Sequence, residues 1–137
     1  MKVVLDASAT LAWIFPEEST PAIEAVFTDV LDDFAWTPGL WQIEVANTLS
    51  QAVRRGRIDW AKQSEALADL ACMPILEDSE CSKHVWHETL ALADKHRLTV
   101  YDATYLELAI RLSLPLATLD EDLRGAAQRE AVPLLGK

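Results

Sequence analysis

The sequence predicts an α/β sandwich around a mainly parallel sheet of four or five strands flanked by helices. Three observations carry this reading. Short β-branched runs of four or five residues alternate with longer segments whose apolar residues recur at helical spacing. The chain has 137 residues, 50% of them hydrophobic, which suffices for one core and not for two, so residues 1–137 are expected to form a single domain. Acids stand where two of the strand-like runs end, and α/β folds gather their ligands outside the carboxyl ends of the strands.

Lys2 to Leu5 (KVVL) is the first strand, ending at Asp6. Ser8 and the Ala-rich stretch after it favour a helix to about Phe15, stopped by Pro16. Thr20 followed by Pro21 is a helix start, a capping hydroxyl before a proline in the first turn, and this helix is expected to run to Asp33. Phe34 to Thr37 is a second strand, broken by Pro38 and Gly39. Leu40 to Arg55 has helical periodicity, closes on two arginines suited to the helix dipole, and is followed by Gly56. Asp59 caps a helix over Trp60 to Ala71, and Met73 to Leu76 is a third strand. One helix is expected from Ser82 or Lys83 to His96, and another from Asp102 to Ser113 with Asp102 at its N-terminus. Pro115 to Leu119 is the fourth strand, Asp120 to Arg129 the last helix, and Val132 to Leu135 a short final strand.

The formal net charge of −10 disfavours non-specific nucleic-acid binding, which relies on Lys and Arg to neutralise phosphates, and it suits a basic protein partner. No apolar run approaches the roughly 18 residues of a membrane span, and Asp6 interrupts what would be a signal peptide's apolar stretch, so a cytoplasmic protein without membrane association is expected. Cys72 and Cys81 lack metal-ligand spacing and are read as free thiols. His84 and His87 share a helical face without a third ligand, which argues against zinc.

Taken singly, Asp6, Asp102 and Asp120 have an ordinary explanation as helix N-caps. Glu44 is harder to dismiss, because it stands among Leu40, Ile43, Val45 and Ala46. If all four converge at one edge of the sheet, each pair at roughly 5 Å repels by about 3 kcal/mol at an effective dielectric near 20. Six pairs sum to on the order of 20 kcal/mol before relaxation, so protonation or a divalent cation must answer them. An all-oxygen cluster suits Mg²⁺ or Mn²⁺. Asn47, one turn beyond Glu44, is either a hydrogen-bonding member of the cluster or a surface amide.

Four stretches, "VVLDASATLAWIFPEE", "IEVANTL", "YDATYLELA" and "LATLDEDL", resemble the successive acidic motifs of PIN-domain ribonucleases, particularly the toxins of VapBC-type toxin-antitoxin pairs. No single motif is specific; four in the right order over nearly the whole chain make a joint signal. The resemblance implies a PIN-like three-layer sandwich and endonucleolytic cleavage of RNA, with Mg²⁺ as cofactor and Mn²⁺ as an alternative. It places the family's metal-binding carboxylates on Asp6, Glu44, Asp102 and Asp120, with Asp122 as a further ligand or a solvent-facing residue. Asp6 and Asp120 are expected as direct ligands, Asp102 as a ligand or water-positioning group, and Glu44 as a ligand or general base. Ser8 and Thr118 match polar positions beside the acids, where hydroxyls bond a carboxylate or a bound water. It also implies a homodimer and a cognate antitoxin bearing a basic segment.

Arg54, Arg55 and Arg57 form the one dense basic patch, read as a solvated helix end or as phosphate steering. Trp13 and Trp41 near the acids are read as core or interface residues ahead of base-stacking platforms. Three rivals stay open. A phosphorylation-controlled receiver domain wants an adjacent acidic pair after its first strand and a lysine after its last, whereas Asp6 is followed by Ala7 and Ser8 and Lys137 is terminal. A haloacid-type phosphatase wants Asp-x-Asp where this chain has Asp6, Ala7 and Ser8. A catalytically silent PIN-like binding module is the third.

Overall fold

The computed structural model describes residues 1–137. In chain order the elements are β1 (Val3–Leu5), α1 (Ala7–Ile14), α2 (Pro21–Asp32), β2 (Ala35–Thr37), α3 (Leu40–Arg54) and α4 (Trp60–Ala71). There follow β3 (Ile75–Glu77), α5 (Leu90–His96), α6 (Val100–Leu112), β4 (Leu116–Ala117), α7 (Glu121–Arg129) and β5 (Leu134–Leu135). The five strands form one sheet in the order β3-β2-β1-β4-β5, and every neighbouring pair is parallel. The chain winds outward from β1 through β2 to β3, then returns to start β4 on the other side of β1. With right-handed crossovers this places α1 to α4 on one face and α5 to α7 on the other. The point of reversal lies between β1 and β4, where a doubly wound sheet opens a crevice at its carboxyl edge.

The strands are shorter than their apolar runs, for a reason the sequence carries. Pro74, Pro115 and Pro133 each precede a strand, and proline has no N–H to give the ladder. Each still accepts through its carbonyl: Ala35 N–H bonds Pro74 O at 3.0 Å, Val4 N–H bonds Pro115 O at 2.9 Å, and Leu116 N–H bonds Pro133 O at 2.9 Å. The expected start of β3 at Met73 therefore moves to Ile75, and β4 and β5 begin just after their prolines. At its other end β4 stops at Ala117 instead of Leu119, because the Thr118 carbonyl is taken by the Arg124 guanidinium and the Leu119 N–H by the Ser8 hydroxyl.

Val3, Val4 and Leu5 are fully buried at the sheet's centre, as befits a strand covered on both faces. Helix α6 is buried continuously from Ala103 to Ala109, so its apolar residues circle the axis instead of forming a stripe. Helix α2 starts as expected, with Thr20 Oγ1 accepting from Ile23 N–H at 3.2 Å and Pro21 in the first turn. Asp59 likewise caps α4 by accepting from Lys62 N–H at 2.8 Å.

Two expectations are corrected. The N-cap of α6 is Thr99, whose hydroxyl accepts from Asp102 N–H at 3.1 Å, so Asp102 lies inside the first turn and its side chain is free of capping. The single helix expected to run to His96 is interrupted. A 3₁₀ turn at Cys81–Lys83 is followed by a π-helical turn at Val85–Thr89, in which Thr89 N–H bonds His84 O at 3.1 Å, before α5 begins.

Candidate active site

Four helices, α1, α3, α6 and α7, begin at the carboxyl edge of the sheet, and each brings one acid there. Asp6 immediately precedes α1 and Asp120 immediately precedes α7; Glu44 and Asp102 lie near the starts of α3 and α6. Helix N-termini carry a partial positive charge, which makes this edge the least costly place for carboxylates.

Asp6 is the best anchored. It is 4% exposed, and its Oδ2 accepts from Ser8 Oγ at 2.6 Å and from Thr118 Oγ1 at 2.7 Å. The two hydroxyls are themselves held by backbone N–H groups: Leu119 N–H donates to Ser8 Oγ at 2.9 Å and Asp120 N–H to Thr118 Oγ1 at 3.1 Å. A continuous relay thus ties the start of α1 to the end of β4 across the switch point. Arg124 secures the same corner, donating from Nη1 to Thr118 O at 2.7 Å and Leu135 O at 3.0 Å. Asp120 accepts through Oδ1 from Leu123 N–H at 2.8 Å, so it caps α7 while remaining beside the cluster. Across the site, Tyr105 donates its hydroxyl to Glu44 Oε1 at 2.5 Å.

The acids sense one another. Burial raises the Asp102 carboxyl to about 6, with Asp120, Asp6 and Glu44 adding to the effect in that order. Burial also raises Glu44, opposed by the Tyr105 hydrogen bond and reinforced by the charge on Asp6. For Asp6, burial outweighs the hydroxyls and amides that favour its charged form. Buried Tyr105 is pushed up by desolvation and by Asp6 and Glu44. None of the four acids has an ion-pair partner; the salt bridges of the chain lie elsewhere.

Of the other residues singled out in the sequence, Ser8 and Thr118 bond the Asp6 carboxylate directly. Asp122 is exposed in the first turn of α7, and Asn47 is exposed on α3; neither joins the hydrogen bonds above. Trp41 is core, with its indole N–H donating to Thr10 Oγ1 at 2.9 Å, and Trp13 stacks on Phe27 with centroids 4.6 Å apart. Cys72 and Cys81 are free thiols. Sequence reasoning did not single out Tyr105 or Arg124. Tyr105 carried a signal, since it lies three residues after Asp102 and so on the same face of α6; Arg124 carried none.

The donor set is oxygen throughout, which fits a hard divalent cation. As the side chains stand, no three Asp, Glu, His or Cys residues are gathered tightly enough to grip one ion, although the four carboxylates are close enough to influence one another. No helix is long and apolar enough to cross a membrane.

Fold and site together define a doubly wound α/β domain with four acids near the carboxyl edge of its sheet. The family model for the PIN domain matches residues 3–128, and the chain belongs to the PIN-domain family. It is 36% identical over 123 residues to ribonuclease VapC3 of Pyrobaculum aerophilum, covering 90% of this chain and 92% of that one. Exonuclease VapC9 of the same organism is 37% identical over 81 residues, 58% of this chain and 57% of the relative. Among solved structures, PAE2754 from Pyrobaculum aerophilum superposes with a TM-score of 0.67 at 28% identity, over 92% of this chain and 79% of that one. VapBC2 from Rickettsia felis, bound to a promoter DNA fragment, shares the fold with a TM-score of 0.66 at 14% identity over 98% of this chain and 97% of that one. The chain is thus a homologue of VapC nucleases within a family of hydrolases.

Proposed function

We propose that this protein is a divalent-metal-dependent endoribonuclease and the toxin of a toxin-antitoxin pair. The observation that carries the reading is the mutual influence of Asp6, Glu44, Asp102 and Asp120 with no protein cation to balance them. Homology to ribonuclease VapC3 supplies the substrate class.

In this reading Asp6, Asp102 and Asp120 hold Mg²⁺ or Mn²⁺, and Glu44 is a further ligand or the general base. A bound divalent ion supplies polarisation of a phosphate oxygen and a water of lowered pKa. The chain's own residues do the rest. Ser8 and Thr118 keep Asp6 in one orientation and oppose the rise that burial imposes on it, so the carboxylate is held in place while the other acids close on an ion. The Tyr105 hydroxyl fixes Glu44 Oε1, leaving Oε2 as the atom available to a ligand or a proton. Asp120 is oriented by the Leu123 amide through one oxygen. Asp122 adds charge at the rim from its exposed position, and Asn47 is an exposed amide beside Glu44. No nucleophilic Ser or Cys is needed.

The acidic rim suits a basic segment of an antitoxin, and exposed Leu31 on α2 and Ile43 on α3 suit a homodimer contact. The test is to incubate the protein with a mixed RNA pool in Mg²⁺, Mn²⁺ or EDTA and map the new ends. Metal-dependent internal cuts that vanish in a folded Asp6→Asn variant are expected. Cleavage by Asp6→Asn at the wild-type rate sinks the assignment, and trimming from the ends alone replaces the endonuclease by an exonuclease.

A further inference from the structure

Beside the acids lies a cavity of about 470 Å³ that the chemistry above does not use. It shares Ser8 with the acid site, and Leu119, the residue before Asp120, forms part of its wall. Its floor follows one face of α1, where Ser8 and Leu11 are succeeded by Phe15 just past the helix end. From Ser8 to Phe15 is about 10 Å along the helix axis, the span of a nucleotide from its phosphate to the far edge of its base. Glu18 and Arg57 close the far end.

The far end is built. The Arg57 guanidinium lies 3.8 Å from the centre of the Phe15 ring, and its Nε and Nη2 donate to Glu17 Oε1 at 3.2 and 2.7 Å. Glu17 therefore balances the charge of Arg57, which makes this arginine a poor phosphate clamp and disposes of a single basic patch over Arg54, Arg55 and Arg57. Nη1 has no protein acceptor. Glu18 approaches Arg57 only as an ion pair at 3.7 Å, without a hydrogen bond, so its carboxylate retains acceptor capacity. Phe15 is buried beneath the Arg57 guanidinium, so Leu11, Ala12 and Leu119 supply the apolar wall. Flanked by an available N–H donor and an available carboxylate, this wall suits a flat neutral ring better than a phosphate.

We infer that this cavity is a base-recognition pocket that selects guanine on the nucleotide flanking the scissile phosphodiester. Guanine presents two adjacent donors, N1–H and the N2 amine, that match the two oxygens of Glu18, and next to them an acceptor, O6, that matches Arg57 Nη1. Adenine and cytosine lack the paired donors, and uracil has a single one. The inference rests on the nuclease reading for the identity of the ligand, and on the pocket alone for its selectivity.

The test compares short RNAs that differ at one position, guanosine against inosine, which lacks the N2 amine, placed at each nucleotide beside a mapped cut. Wild-type protein is expected to cleave the inosine RNA about tenfold more slowly at one flanking position, the loss of a hydrogen bond to a charged group. In Glu18→Gln that ratio falls towards one. Equal rates on guanosine and inosine at every flanking position overturn the pocket. Binding of the same RNAs to Asp6→Asn by fluorescence anisotropy separates the two readings. Guanosine selectivity in binding with no cleavage by wild type retains the pocket and rejects the nuclease; equal binding of guanosine and inosine RNAs rejects the pocket whatever the cleavage result.

Discussion

Asp102 lies where burial and three neighbouring acids raise its carboxyl to about 6, above an ordinary aspartate. The unfolded chain holds this proton only below about pH 4. The stabilising effect of holding it longer in the fold is therefore complete below about pH 4 and is lost as pH rises through about 6. At pH 7 the charged carboxylate costs about 1–2 kcal/mol in metal-free protein, discounted for a half-exposed group. In EDTA, Asp102→Asn is expected to melt above wild type at pH 7, with the gap closing by pH 4; a gap independent of pH in thermal denaturation refutes the coupling. Tyr105 gives a complementary expectation. Its hydroxyl holds Glu44 down against burial, so Tyr105→Phe raises Glu44 further. If Glu44 works in its charged form, the acid limb of the pH–rate profile for RNA cleavage moves to higher pH, and an unmoved limb removes Glu44 from the chemistry. Asp6, Glu44, Asp102 and Asp120 could be singled out in the sequence because acids beside apolar runs demand an explanation, and the fold brings them within electrostatic reach of one another. Tyr105 carried only its spacing from Asp102, which was too weak to single it out because a buried tyrosine in a helix serves equally well as core; its bond to Glu44 comes from the tertiary fold.

Among the elements, what was legible followed from local chemistry and what was missed followed from tertiary pairing. Helices α2 and α4 carry their starts in Thr20-Pro21 and Asp59, and both begin where those caps place them. The strand lengths depend on what crosses from a neighbour, which no local pattern states, although Pro74, Pro115 and Pro133 mark the starts. The π-helical turn before α5 is invisible to a 3.6-residue period, because side-chain spacing over five residues does not separate the two helix types. Helix α6 owes part of its anchorage to Arg111, which pairs with Asp78 Oδ2 at 2.8 Å and Glu107 Oε1 at 2.6 Å. Glu107 and Asp78 are 4% and 9% exposed, so removing their shared cation leaves two buried carboxylates uncompensated. Arg111→Ala is expected to lower stability by about 3 kcal/mol in urea denaturation. A loss below about 0.5 kcal/mol would mark the triad as a solvated surface pair.

At the scale of the whole molecule, a net charge of −10 and four acids at one sheet edge make cations the natural ligands of the folded state. Two effects must be separated. Any salt screens the overall repulsion and stabilises the fold modestly, whatever its identity. A site adds a term that saturates with the ion and follows RT ln(1 + [L]/Kd), about 2.7 kcal/mol at a hundredfold excess over Kd, because the unfolded chain does not assemble the four carboxylates. For a domain of this size that corresponds to roughly 10 °C in Tm. Titrating metal-free protein with Mn²⁺ or Mg²⁺ at constant ionic strength, balanced with NaCl, isolates the second term. The expected result is a saturable rise in Tm for wild type that shrinks severalfold in Asp6→Asn and Asp120→Asn, and is unaffected by Asp69→Asn on the exposed side of α4. The variants are also expected to melt above wild type in EDTA, since each removes one repelling charge, so the order of stabilities inverts as the ion is added. That inversion is specific to a cation answering the cluster. Screening alone leaves the order unchanged at every concentration, and a Tm that tracks ionic strength irrespective of the cation would leave Asp120 as the cap of α7 and remove the case for an ion among the four acids.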